Sequence, residues 1–193
     1  MKKYFAKFLF ALGVFFSMTF TVYAADTYTL DPMHSYVLWH INHFGFSNPS
    51  GKWFANGTVT LDKTQPQNSK VNVTIKVDEL VTGIPELDKH LKEKLFFNVA
   101  EYPTATFISD KVTLVHDNEA KVHGLLTLHG VSKPVTLDVI LNKSGVNPIN
   151  DKATVGFTAK TTLKRSDFGI STLLPGVGDV VTIDIEAEAV KNN

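Results

Sequence analysis

Past residue 25, apolar and polar residues take turns along most of the chain. Residues 70–77 carry the cleanest pattern: Val71, Val73, Ile75 and Val77 alternate with Lys70, Asn72, Thr74 and Lys76. A period of two puts each set on one face of a half-buried strand. The same reading gives strands at 28–30, 35–43, 51–61, 104–109, 111–115, 122–128, 135–141, 153–163 and 180–190. Polar turns at Asp117-Asn118 and around Gly130, and loops with Gly145, Pro148 and Pro175, separate them. Eight or nine strands at hairpin spacing predict an all-β fold. Up-and-down order favours a closed antiparallel eight-stranded barrel over a two-sheet sandwich, because closure leaves no bare edge.

The period changes once. Leu87, Leu91 and Leu95 recur every four residues, with Glu86, Lys89, Lys92, Glu93 and Lys94 between them. That spacing predicts one short amphipathic helix over about 85–97, in a crossover between strands. Pro85 suits its first turn, where a missing N–H costs nothing. Phe96 and Phe97 add two large rings at its exit. A lone greasy helix in an all-β chain is expected to cover the mouth or flank of a barrel with an apolar interior.

Room inside that barrel is the next question. An eight-stranded barrel is just wide enough to be filled by side chains or to hold one elongated ligand. Ala55, Gly57, Gly124, Ala153, Ala159 and Ala187 stand among the bulkier apolar positions and favour the ligand.

The N-terminus reads differently. Lys2, Lys3 and Lys7 precede an almost uncharged run from Phe8 to Tyr23, and Val22-Tyr23-Ala24 ends it with signal-peptidase spacing. This is a secretory signal peptide spanning 1–24, cleaved between Ala24 and Ala25. The run is about sixteen residues, short of the roughly twenty a membrane span needs, so no stable anchor is expected after cleavage. One domain, 25–193, remains, and at about 169 residues it can bury a core without cross-links. The chain has no Cys, so an exported protein here does without disulfides. A bacterial periplasm fits best, with secretion to the medium as the alternative.

Charge narrows the partners. The chain has 19 Lys+Arg and 19 Asp+Glu; losing the three leader lysines leaves a net charge of about −3. Without a basic cluster it is a poor ligand for nucleic acid, whose binding rests on neutralising phosphates.

Catalytic signals are weak. There is no Gly-x-Ser-x-Gly elbow, HExxH, paired Cys-x-x-Cys or glycine-rich phosphate loop. His34 and His40 share a strand face and His43 lies opposite. His123 and His129 stand six residues apart, roughly 20 Å along a strand and too far to share one metal. Neither a metal nor a catalytic residue is assigned. The loop 164–170 is the most distinctive polar stretch. Arg165 and Asp167 would hold it by a salt bridge, or Arg165 would face a polar headgroup at a barrel mouth.

Several phrases together carry a resemblance. They are Asp31-Pro-Met-His34-Ser35, His43-Phe-Gly45-Phe, Gly51-Lys-Trp-Phe54, Asp88-Lys-His-Leu91, Phe96-Phe97 and Tyr102-Pro103-x-x-x-Phe107. Gly124-Leu-Leu-Thr127-Leu-His-Gly130-Val-x-Lys-Pro-Val135, Arg165-Ser-Asp167-Phe-Gly169-Ile and Gly178-Asp-Val-Val-Thr-Ile183 complete the set. In this order, over the whole mature chain, they resemble the YceI-like proteins. The resemblance implies a periplasmic, lipocalin-like barrel, homodimeric and non-enzymatic, whose apolar tunnel binds a polyisoprenoid or other long amphiphile. One departure stands out: many relatives have Arg before the Asp of the helix motif, where this chain has Leu87.

The expected function is therefore a carrier whose partner is a lipid-like small molecule (isoprenoid, quinone or fatty) with no further cofactor. Hydrophobicity selects Val37, Trp39, Ile41, Val73, Ile75, Leu87, Leu91, Leu95, Phe96, Phe97 and Phe107 as tunnel lining. Phe54 joins them on size and resemblance, although it alternates out of phase with Trp53. His34, His43, Arg165 and Asp167 are the mouth and headgroup candidates. Burying ten chain methylenes would supply roughly 8 kcal/mol before immobilisation costs. Two other readings stay open: a periplasmic enzyme acting on a small hydrophobe with His34 or His43 as general base, and a stress-response interaction protein with a filled core.

Overall fold

A computed structural model describes residues 25–192; the expected signal peptide, with the Ala24 side of its expected cleavage site, lies outside them. Nine strands form one sheet: β1 (Asp26–Leu30), β2 (Tyr36–His43), β3 (Ser50–Leu61), β4 (Lys70–Val81), β5 (Thr104–His116), β6 (Glu119–Leu128), β7 (Val131–Val146), β8 (Ala153–Lys164) and β9 (Val177–Lys191). One helix, α1 (Pro85–Leu91), sits in the β4–β5 crossover. All pairings are antiparallel. Both β1 and β2 lie between β3 and β9, so they are two segments of one stave, and the barrel closes with eight.

The alternation along each strand decides what faces inward. On β3, Trp53, Ala55 and Val59 are buried, and Val77 on β4 is 1% exposed. Several predicted elements change length. The stretches read as 104–109 and 111–115 are one strand, β5, whose register shifts between Ser109 and Lys111. A bulge of this kind adds one residue and swaps the inward phase, so that Phe107 and Val112 both face in.

The helix ends at Leu91, not near Phe97. After Lys92 the chain winds through tight turns: the Phe97 N–H bonds the Leu91 carbonyl at 3.0 Å, and Asn98, which bonds Glu93 O, takes φ +44°. Leu95 thereby leaves the helical face and is 66% exposed. The start of the crossover is fixed by Asp88, whose Oδ1 accepts the Thr82 N–H at 2.6 Å and the Thr82 hydroxyl at 2.5 Å.

Two ends of the barrel differ. One gathers α1, the turns after it, the β2–β3 and β6–β7 hairpins and the 165–176 loop. Here Val37, Trp39, Trp53, Val77, Leu80, Ala105 and Ile183 form a buried cluster, with Leu91, Phe97 and Val99 of the crossover packed against it. The other end carries only the β3–β4, β5–β6 and β7–β8 connections and the chain termini.

Candidate functional site

Inside the staves runs a cavity of about 550 Å³, bounded almost entirely by apolar side chains. A filled core does not describe this barrel. Small residues leave the space: Ala55, Ala159 and Ala187 are on the cavity wall. Gly124 acts differently, since a Cβ there would meet the Phe107 ring at 2.7 Å. Its missing side chain lets that ring lie against the wall instead of crossing the lumen. Gly57 serves a close strand approach at φ +145°, where a Cβ would meet the Asn72 carbonyl oxygen at 2.2 Å, and Ala153 is exposed at a strand end.

Polar residues line the cavity at one end of the barrel, and Ser35, Tyr36 and Glu186 line it beside the β1–β2 junction. Asp62, Lys63, Ser69, Asp117 and Asn118 from the connections at that end, with Ser144 of β7, form its rim there. Lys63 Nζ donates to Ser144 Oγ at 2.9 Å, tying the β3–β4 connection to β7 across the opening. Asp62 braces the same connection: Oδ1 accepts the N–H groups of Thr64 and Gln65 at 3.0 and 2.8 Å and the Thr64 hydroxyl at 2.8 Å. Those hydrogen bonds, the Gln65 N–H first, hold its carboxyl below the usual carboxylate range. Lys63 is the cation of the rim, and Asp117 its second carboxylate. At the closed end the wall is Trp53, Val77, Ala105, Leu128, Leu163 and Ile183, with Thr161 the polar side chain nearby.

Of the twelve residues expected to line the tunnel, Val37, Val73, Ile75 and Phe107 stand on its wall. Trp39 and Ile41 belong to the closed-end cluster beyond the cavity floor. Phe54 faces outward, with Lys52 Nζ 5.1 Å from its ring centroid; the β3 alternation that buries Trp53 turns its neighbour to the other face. Leu87, Leu91, Leu95, Phe96 and Phe97 do not reach the cavity, because Trp53 stands between it and the crossover. The helix backs the floor and leaves the mouth open.

The expected headgroup residues are elsewhere too. His34 lies on the outer wall, Nδ1 2.8 Å from Asp31 Oδ2, and that hydrogen bond raises its pKa above 6.5. His43 is exposed at the closed end, edge-on to Phe44. Arg165 is buried there, donating from Nε to Gly178 O (2.8 Å), from one Nη to Ile170 O (2.9 Å) and from the other to Val177 O (2.9 Å). It has no salt bridge with Asp167, which is exposed. Asp179 takes that place by accepting the Ser166 N–H and hydroxyl at 2.9 and 2.8 Å. Neither histidine proposed as general base faces the cavity.

Asp31, His34 and Glu188 are the one His/carboxylate group among the described residues with metal-ligand spacing, their ligand atoms within 4.8 Å of one another. The Asp31–His34 hydrogen bond accounts for their approach: with the Asp31 N–H on Glu188 O at 2.8 Å, it closes the β1–β2 junction. The residues that sequence reasoning missed are those of the rim. Their signal was weak, for Asp62-Lys63 and Asp117-Asn118 read as ordinary turn polarity.

A family model described as the YceI-like domain matches residues 28–189. The chain is 37% identical over 186 residues to a UPF0312 protein of Pseudomonas fluorescens (strain SBW25), an overlap covering 94% of each. Among solved structures it is similar to a YceI protein of Campylobacter jejuni, with TM-score 0.71 and 30% identity over 79% of this chain and 90% of that one. A polyisoprenoid-binding domain from Saccharophagus degradans shares the fold, with TM-score 0.62 and 16% identity over 88% of this chain and all of that one.

Proposed function

The chain belongs to the YceI-like family, and from that premise we propose that it is an exported carrier that holds one long-chain amphiphile, isoprenoid or fatty, in its barrel. The observation that carries this reading is the apolar tunnel of about 550 Å³. The Saccharophagus degradans domain, described as polyisoprenoid binding, supports the ligand class, and the leader at 1–24 supports export to the periplasm. Binding needs no reacting group. Each methylene leaving water contributes about 0.8 kcal/mol, and the polar rim keeps the head in contact with solvent. With Lys63 at the opening, an oxygen-rich or anionic head finds a donor there.

Displacement of an apolar fluorescent probe such as N-phenyl-1-naphthylamine tests this directly. Ala159→Trp puts an indole into the lumen at a wall position where only a methyl group stands. The variant should keep its β-sheet circular dichroism and lose probe binding at least tenfold, about 1.4 kcal/mol. Equal probe binding by the folded variant and the parent would place the probe outside the tunnel and refute the carrier reading.

A further inference from the structure

The tunnel's closed end has a chemistry of its own. Trp53 is the largest side chain on the wall and is 7% exposed. Phe97 holds its ring edge-to-face at 5.2 Å between centroids, and Trp39 supports it at 6.0 Å. Behind them stand Leu91 and Val99 from the crossover. This end is predominantly apolar packing; its polar groups are the Thr161 hydroxyl and the unpartnered indole N–H groups of Trp39 and Trp53, and no charged side chain stands on the wall there. The rim, by contrast, offers Asp62, Lys63, Asp117, Asn118 and Ser144. A single-chain amphiphile therefore enters tail first and stops against an indole.

Resting on the carrier reading above, we propose that Trp53 is the specificity-determining residue that sets the length of chain the tunnel encloses. The depth of the tunnel gives that length. From Leu61 near the rim to Trp53, β3 advances eight residues, which at about 3.3 Å each and a tilt of about 40° is roughly 20 Å. That is about two thirds of a bilayer's hydrocarbon core of about 30 Å. The enclosed ligand is thus a chain of the size found in membrane lipids. A longer polyprenyl chain leaves its remainder outside the rim.

Saturated fatty acids of about 8 to about 22 carbons, competed against the fluorescent probe, test the assignment. Affinity should rise about fourfold per methylene, the factor that corresponds to about 0.8 kcal/mol, and then break within the series, where the tail reaches Trp53. Trp53→Ala opens the floor toward Phe97 and should move the break to longer acids. Trp53→Phe retains a ring there and should leave the break within about one methylene of its original place. Should Trp53→Ala not fold, Ala105→Leu raises the floor from the facing wall and should move the break to shorter acids. A series with no break, or one whose break stays put in Ala105→Leu and Trp53→Ala alike, overturns the proposal while leaving the carrier reading intact. Failure of every acid to displace the probe overturns the carrier reading and the length limit together.

Discussion

At the scale of single residues, the polar groups set away from the tunnel build its walls. Asp31 and His34 pin the β1–β2 junction, where one stave is interrupted and the backbone would otherwise be loose. Each shifts the other's pKa. The hydrogen bond to Asp31, then its charge, raises His34 above 6.5; the hydrogen bond to His34, then the Met33 N–H, lowers Asp31 below 3.8. The raised His34 value means its share of stability is full below pH 6.5 and is lost as pH rises through the folded pKa. The lowered Asp31 value means its share is present above pH 3.8 and is lost as pH falls through the folded pKa. The junction is therefore tightest in mildly acidic solution. An NMR titration should find His34 titrating above 6.5, and Asp31→Asn should return it to about that ordinary value. A His34 midpoint at the ordinary value in the parent protein would mean the pair is not formed. Arg165 teaches the same lesson by different chemistry. Its identity stood out in the sequence, but its three carbonyl partners come from residues 170–178 and are invisible to any side-chain pattern. A planar fork with donors on three sides gathers that loop in a way a lysine ammonium does not.

At the scale of elements, the strands were legible and the crossover only in part. A period of two is written into β4 and β9 by β-branched residues, and pairing in a closed barrel leaves each strand little choice of phase. Trp53 shows how strict that phase is, for the alternation on β3 placed it inward whatever the size of Phe54 beside it. The end of α1 was not legible. Phe96 and Phe97 are apolar in a helix or in a turn, and what stops the helix is backbone hydrogen bonding to Leu91 and Glu93. Nor could the sequence say which side of Trp53 the leucines would occupy, since both sides are greasy. The structure puts α1 behind the floor, and this has a consequence. Asp88→Ala removes both bonds to Thr82 and should lower unfolding free energy by about 2 kcal/mol. Urea denaturation should show a lower midpoint with an unchanged slope. Probe affinity should stay within about twofold, a change under 0.5 kcal/mol. A large loss of affinity at constant stability would return the helix to the binding site.

At the scale of the whole molecule, the barrel is closed at one end by aromatic packing and rimmed with polar residues at the other. Closure of eight staves removes every strand edge, so the interior can stay hollow without the sheet coming apart. The fold class was within reach of the sequence because strand count and spacing limit the architectures, and small residues signalled the space. The rim was not, because a turn residue acquires a role only when the barrel brings separate turns together, as with Lys63 and Ser144. The carrier account predicts that protein taken from the periplasm leaves with its cargo. The measurement that meets this most directly is native mass spectrometry of detergent-free protein released by osmotic shock, repeated after organic extraction. The account predicts the mass of a chain beginning at Ala25 plus one bound amphiphile, and loss of that added mass on extraction. A bare protein mass that no offered prenol, quinone or fatty acid increases would contradict it.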